Sequence, residues 1–223
     1  MNVAAVRAAG PLALAGQWLE RATERAATPN PNAMVVSTLG PGGRPSGRVV
    51  LCKTLDTDAG FAVFYTNYES RKGRELDANP ACSAVFHWDS AERQLRLEGL
   101  VERATPNSSD RYFASRPWRS RIGAWASQQS QPIASREALD DAARRTAERF
   151  GTPDPFGDED CPDDLAIARP PHWGGYRLWI ASLEFWQGGA CRIHDRVLCE
   201  RDLNRSGATG WETGEFRIQR LQP

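Results

Sequence analysis

Apolar positions recur along this chain in two rhythms. From Leu12 to Ala27 they fall at roughly helical spacing and stop before Pro29-Asn30-Pro31, which predicts an amphipathic helix lying outside the main core. Ser135 to Phe150 predicts a second, with Ser135 as N-cap, early acidic residues and one face made of Leu139, Ala142, Ala143, Ala147 and Phe150. Elsewhere the rhythm is that of strands. Short runs rich in β-branched and aromatic residues cover Ala33–Leu39, Arg48–Leu55, Phe61–Thr66, Ala81–Trp88 and Gln94–Arg103. Three more follow at Tyr176–Phe185, Arg196–Glu200 and Phe216–Leu221. Gly40-Pro41-Gly42-Gly43 and Asp58-Ala59-Gly60 sit between the first runs at hairpin distances, so an antiparallel meander is the simplest connection.

Short helices interrupt the strands. Ser70 can cap one running to about Ala78, and Ser108 or Ser109 another through Tyr112. Residues 151–171 are rich in Pro, Gly and Asp and read as a surface loop; Asn204 to Glu215 is a polar excursion between the last two strands. Many short strands with few helices predict a mainly β (α+β) fold, a small β-barrel with peripheral helices, in one domain spanning 1–223 whose residues 1–30 form an N-terminal segment with a helix, the first ten being of mobile composition. With 40% hydrophobic and 25% charged residues, 223 residues suffice for one sizeable core.

Charge and cysteine narrow the function. Lys plus Arg number 28 and Asp plus Glu 28, so no global field draws the chain to nucleic acid or an anionic membrane, and any anion site is local. No window approaches 18 unbroken apolar residues, and no signal-peptide core is visible, so a cytoplasmic place is expected. The five cysteines, Cys52, Cys82, Cys161, Cys191 and Cys199, form no C-x-x-C pair and fit a reducing compartment; no metal site is expected. Only two of the 28 basic side chains are lysine, Lys53 and Lys72, and an ammonium is a more compact charge than a guanidinium.

Four patches hold more polar groups than a strand or turn needs. Arg48-Val-Val-Leu-Cys-Lys53 is an apolar strand with a cation at each end, either an anion holder or a strand with solvated ends. Phe64-Tyr-Thr-Asn-Tyr-Glu-Ser-Arg-Lys-Gly73 runs a strand into a helix start where backbone N–H groups could cradle a phosphate, though a solvated basic helix start would read alike. Tyr112 and Arg116 stand one helical turn apart before Pro117, with Ser120 close behind, as an anion site or a plain capping segment. In an extended Arg192-Ile-His-Asp-Arg196, the residues Arg192, His194 and Arg196 share one face, which is costly in a core without a ligand and harmless in solvent.

Taken in order, these segments together with Glu92-Arg-Gln94, Ile122-Gly-Ala-Trp-Ala-Ser-Gln-Gln-Ser130, Trp173-Gly-Gly-Tyr and Glu184-Phe-Trp-Gln-Gly resemble the pyridoxamine 5'-phosphate oxidase family from about Leu12 to Pro223. The resemblance implies an FMN-binding split β-barrel homodimer with FMN at the subunit interface. It implies FMN contacts from Arg48, Val49, Val50, Leu51, Cys52, Lys53, Tyr65, Thr66, Ser70, Arg71, Lys72, Gln94, Gln129, Ser130, Trp186 and Arg196. It also implies a substrate phosphate on Lys53, Tyr112, Arg116 and Ser120, with Arg192 and His194 as catalytic residues that close over the pyridine ring. The implied reaction oxidises pyridoxamine or pyridoxine 5'-phosphate to pyridoxal 5'-phosphate while dioxygen becomes hydrogen peroxide. Ala190-Cys191 departs from the larger polar residues that relatives carry before the arginine. A split-barrel oxidase of another aromatic, such as a phenazine precursor, and a non-catalytic flavin or pyridoxal phosphate carrier are the alternatives.

Overall fold

The computed structural model describes residues 1–25, 27–161, 165–207 and 210–223. In chain order its elements are α1 (Val3–Ala9), α2 (Pro11–Arg25), β1 (Ala33–Leu39), β2 (Pro45–Leu51), β3 (Thr54–Asp56), β4 (Phe61–Asn67), α3 (Arg71–Ala78), β5 (Ala81–Trp88) and β6 (Arg93–Arg103). They continue with α4 (Pro106–Ala114), α5 (Trp118–Ala126), α6 (Arg136–Phe150), β7 (Trp173–Gln187), β8 (Asp195–Glu200), β9 (Leu203–Arg205), β10 (Trp211–Thr213) and β11 (Arg217–Leu221). Predominantly antiparallel pairing makes the chain mainly β with helices attached, as the apolar rhythm predicts.

The strand order is β11-β8-β7-β6-β5-β1-β2, with β4 paired to β3 and to β7. The pairings trace an open path, and they are not a meander. β1 pairs with β5, Val35 opposite Val85, and β4 pairs with β7 as well as with its sequence neighbour β3. Hairpin turns fix only local partners, whereas these pairings are chosen by which faces can be buried together. The single strand expected over Arg48–Leu55 is two, because at Cys52 and Lys53 the backbone changes partner: Cys52 N–H donates to the Asn32 carbonyl and Lys53 N–H to that of Val63.

The chain divides into two compact units. Unit 1 holds Met1–Phe64, Ala78–Glu102 and Arg177–Pro223. Its core takes the inward residues of alternating strands, Met34 and Val36 from β1, Phe86 from β5, Leu95 and Leu97 from β6, and Leu178, Ile180, Leu183 and Phe185 from β7. The N-terminal helix contributes to this core instead of lying outside it. Trp18 is 4% exposed and meets Phe185 edge-on at 5.1 Å, since no solvated position could take an indole of that size as cheaply. The N-terminal segment of mobile composition forms α1, capped by Asn2, and the Met1 ammonium lies 2.7 Å from an Asp195 carboxylate oxygen. The polar excursion near the C-terminus contains the β9–β10 hairpin, tied down where Glu102 accepts from both Trp179 Nε1 (2.9 Å) and Trp211 Nε1 (3.1 Å).

Unit 2 holds Tyr65–Asp77 and Arg103–Tyr176 around Phe113, Trp118, Ile122, Ala147, Ile167 and Trp173. Here α4 is capped by Thr105 rather than by either serine, with Pro106 at the first helical position. Pro117 ends nothing beyond α4; it opens α5, where its missing N–H costs no bond. α6 has the expected bounds, Ser135 accepting from Ala138 N–H and Gly151 closing it at φ 66°. The acidic loop after it is gripped by Arg119, which donates to the carbonyls of Pro155, Gly157 and Glu159. Of the features expected from sequence, positions 26, 162–164 and 208–209 lie outside the described residues.

Two glycines separate packing from propensity. A Cβ on Gly99 in β6 would stand 1.8 Å from the Trp179 carbonyl oxygen, whereas one on Gly123 in α5 meets nothing within 4 Å. Gly99→Ala is expected to lower unfolding free energy in urea by about 1–3 kcal/mol. Gly123→Ala should be neutral or raise it by up to about 1 kcal/mol.

Candidate functional site

The implied site residues gather in each unit separately. In unit 2, β4 ends in Tyr65-Thr66-Asn67 and turns into α3. Ser70 is wholly buried, donates its hydroxyl to the Asn67 carbonyl at 2.7 Å and accepts from Gly73 N–H, which fixes the helix start. The turn is tight because Gly73 packs on the Tyr68 backbone, where a Cβ would approach the carbonyl oxygen to 2.0 Å. Lys72 is thereby drawn inward, to 8% exposure, and its ammonium donates to Thr66 Oγ1 (3.0 Å), Ser70 Oγ (3.3 Å) and Gln129 Oε1 (3.0 Å). Thr66 also donates to Gln129 Oε1 at 3.1 Å. Arg71 stays largely outside and pairs with the buried Glu75 at 2.8 Å. Ser130, beside Gln129, adopts a left-handed φ of 71°, a strained setting of the kind that gathers at ligand sites.

The other cluster of unit 2 is aromatic. Tyr65 and Tyr112 stack at 3.9 Å, and both run nearly parallel to Trp173. The Arg116 guanidinium lies 4.7 Å from the centroid of the Trp173 ring. Burial holds the Arg116 pKa below its ordinary value, and its Nη1 is buried without a hydrogen-bond partner among the described residues. Leaving a charged donor unsatisfied costs more than a typical hydrogen bond returns, so this atom is free to meet an acceptor from beyond the described residues.

In unit 1 the anion-holding strand is β2. Arg48 folds back across β1, donating to Thr38 Oγ1 and Ser46 Oγ at 2.5 Å each. Along Arg48–Lys53 exposure alternates; Val49 is 64% exposed, Val50 and Leu51 are half-buried, Cys52 is buried and Lys53 is exposed. Gln94 stands opposite His87 at the start of β6.

At the β7–β8 end, Trp186 faces Arg196 across the ladder. Glu184, 5% exposed, accepts from Arg196 Nε and Arg96 Nη1, both at 2.8 Å, and the bond to Glu184 holds the Arg196 pKa above its ordinary value. The shared face expected for Arg192, His194 and Arg196 does not form. Ala190–Arg192 is a single 3-10 turn with Cys191 at φ 56° and Arg192 at φ 63°, and β8 begins only at Asp195, so the two-residue period does not reach Arg192. His194 is tilted over Trp186 at 4.6 Å and its Nδ1 accepts from Gly189 N–H at 3.2 Å. In the neutral ring that leaves the proton on Nε2.

Sequence reasoning gave no role to Trp173, Thr38, Ser46, Arg96 or Glu184. Of these, Glu184 carried a signal, a glutamate at a buried position of a strand that otherwise buries apolar groups. Among the described residues no three His, Cys, Asp or Glu side chains are placed to hold a metal.

Comparison with known proteins bears on this arrangement. The family described as pyridoxamine 5'-phosphate oxidase matches residues 21–150, and that described as the pyridoxine 5'-phosphate oxidase C-terminal dimerisation region matches 173–223. This chain belongs to the pyridoxamine 5'-phosphate oxidase family. Among its relatives, the pyridoxine/pyridoxamine 5'-phosphate oxidase of Burkholderia thailandensis is 49% identical over 206 residues, covering 92% of this chain and 86% of that protein. The one from Burkholderia vietnamiensis is 48% identical over 207 residues, 93% and 86%. Among solved structures, PhzG of Burkholderia lata, in complex with tetrahydrophenazine-1-carboxylic acid, has a TM-score of 0.78 at 27% identity, covering 96% of this chain and 92% of that one. An FMN-binding, pyridoxamine 5'-phosphate oxidase-related protein of Nostoc punctiforme has a TM-score of 0.64 at 14% identity, covering 94% and 96%, which extends the likeness in fold alone. The split-barrel class expected from sequence is thus that of the family.

The cysteine between β2 and β3, Cys52, is buried where the strand breaks. Burial pushes the Cys52 thiol up to about 11 and those of Cys82 and Cys199 to about 12. At pH 8, Ellman's reagent is expected to label the exposed Cys191 quickly and the half-buried Cys161 more slowly, the other three only after unfolding. Labelling of a third thiol before unfolding would contradict this. The raised values also set a sign: between about pH 9 and 12 the unfolded chain loses thiol protons that the folded one keeps, so these groups make stability fall as pH rises.

Proposed function

We propose that this chain oxidises pyridoxamine 5'-phosphate and pyridoxine 5'-phosphate to pyridoxal 5'-phosphate, with dioxygen reduced to hydrogen peroxide, as a cytoplasmic homodimer with FMN at the subunit interface. The observation that carries the reading is Arg116: a guanidinium over Trp173 whose buried Nη1 has no partner among the described residues is suited to an anion carried on an aromatic molecule. The curated relatives with the same oxidase name support it. So does the match to a dimerisation region. No described helix is long and apolar enough to cross a membrane.

FMN is the cofactor, and the donor set suits it. A buried lysine ammonium on Thr66, Ser70 and Gln129 with an exposed arginine beside it, and separately the clamped Arg48, are cationic, hydroxyl-rich settings of the sort a phosphate-bearing ring system requires. By the family resemblance its holders are Arg48 to Lys53, Tyr65, Thr66, Ser70, Arg71, Lys72, Gln94, Gln129, Ser130, Trp186 and Arg196. When bound, FMN supplies the hydride acceptor and the path of two electrons to dioxygen. The protein supplies orientation. Lys53, Tyr112, Arg116 and Ser120 hold the substrate phosphate, Arg192 lies against the pyridine ring, and His194 presents its Nε2 proton as a hydrogen-bond donor.

The structural likeness to PhzG favours a second reading, oxidation of a phenazine precursor. Arg116 supports the first reading, since a phosphate presents more oxygens to that nitrogen than a single carboxylate does.

Anaerobic pyridoxamine 5'-phosphate is expected to bleach a bound flavin band that returns in air, with pyridoxal 5'-phosphate accumulating. A flavin band untouched by this substrate moves the assignment to another aromatic; a band that never bleaches with any candidate reduces the protein to a carrier. Arg116→Ala should lower kcat/KM for the phosphorylated substrate about 10- to 100-fold, the worth of one hydrogen bond to a charged group. Unphosphorylated pyridoxamine should lose nothing further. Arg192→Ala should impair turnover far more than FMN retention, and equal losses in both would remove Arg192 from the reacting ring.

A further inference from the structure

One face of α2, with the turn between β5 and β6, carries a second concentration of positive charge that the proposed reaction does not use. Trp18, Arg21, Ala22 and Arg25 fall on that face by helical spacing and line a slot completed by Trp88 and Arg93. The floor is rigid. Trp18 and Trp88 are 4% and 6% exposed and meet edge-on at 6.5 Å, and Trp88 Nε1 donates to the Pro31 carbonyl at 2.8 Å. The Arg93 guanidinium lies over Trp18, 4.6 Å from the ring centroid, and is steadied by its Nε bond to Gln187 Oε1 at 2.8 Å.

The charges are unbalanced. Burial, and then Arg21 and Arg25, hold the Arg93 pKa below its ordinary value, so three guanidiniums act on one another with like sign. Among the described residues neither Arg21 nor Arg25 is paired with a carboxylate, and two arginines four apart on a helix repel. Glu20 and Glu24 each precede them by one position, a rotation of about 100° away, and are exposed. Such a surface persists at a cost unless an anion relieves it. The enclosed part of the slot, about 20 Å³, holds little more than a water, so a ligand lies across its mouth. A flat ring suits the open side of a guanidinium already stacked on an indole. An acidic group on that ring meets Arg21 and Arg25.

The geometry points to a binding site for a small aromatic anion, a flat ring bearing a carboxylate or phosphate, held by Arg21, Arg25 and Arg93 above Trp18 and Trp88. It does not depend on the proposed reaction.

The test is calorimetric titration of the flavin-loaded protein with 2-naphthoate, 2-naphthol and acetate, in the wild-type chain and in Arg21→Gln/Arg25→Gln. Both arginines are exposed, so the variant is expected to keep its circular dichroism and its flavin content. Naphthoate should saturate at one site per chain that weakens with salt, bind the double variant about tenfold more weakly, and exceed both the neutral ring and the ringless anion. Equal affinity in wild type and variant, equal binding of naphthoate and naphthol, or no wild-type Kd below about 1 mM overturns the proposal.

Discussion

Burial along β7 is the constraint on which most of unit 1 depends. Leu178, Ile180, Leu183 and Phe185 are buried and the residues between them are at least half-buried, so a polar group admitted to a buried position there must bring its own partners. Glu184 shows the consequence. It is tolerated because two guanidiniums reach it, one from β6 and one from β8, and the carboxylate in turn decides where both arginines lie. Removing water from a strand thus fixes the positions of charges two strands apart.

The same economy explains the cations of unit 2, solved differently. Lys72 is drawn in by a close helix turn and surrounded by hydroxyl and amide oxygens. Arg116 is set on an indole and has a nitrogen unmet among the described residues. An ammonium can be met from several directions by small acceptors, whereas a planar guanidinium accepts a ring on its face and keeps its edge for a fork of oxygens. That chemical difference accounts for a chain otherwise rich in arginine keeping lysine at position 72.

Much of this was legible in the sequence where the determinants are local. Period-two runs marked β1, β4 and β5 nearly to the residue, and Ser135 and Gly151 bracketed α6. Reading failed where the determinant lies elsewhere in the chain. Nothing near Arg48–Leu55 shows that its backbone passes from Asn32 to Val63 as partner, and nothing near β4 shows that it will pair with β7. The stop before Pro117 was readable, but nothing near it shows that the same residue caps the next helix. For the site, residue types were readable as cation-rich patches, but their partners were not: Lys72 meets Gln129 across 57 positions, and Arg116 finds Trp173 by tertiary packing alone.

The turn before β8 holds two successive left-handed residues, Cys191 and Arg192, neither of them glycine. Such a shape is not the preference of its own sequence. Besides the turn's own bonds, Ile193 N–H on the Ala190 carbonyl and His194 N–H on that of Arg192, it is held by Gly188 N–H on the Glu92 carbonyl and Gly189 N–H on His194. The conformation of Arg192 is thus tied to closure of the β7–β8 hairpin, and fraying of the strand end is expected to release the arginine's orientation with it.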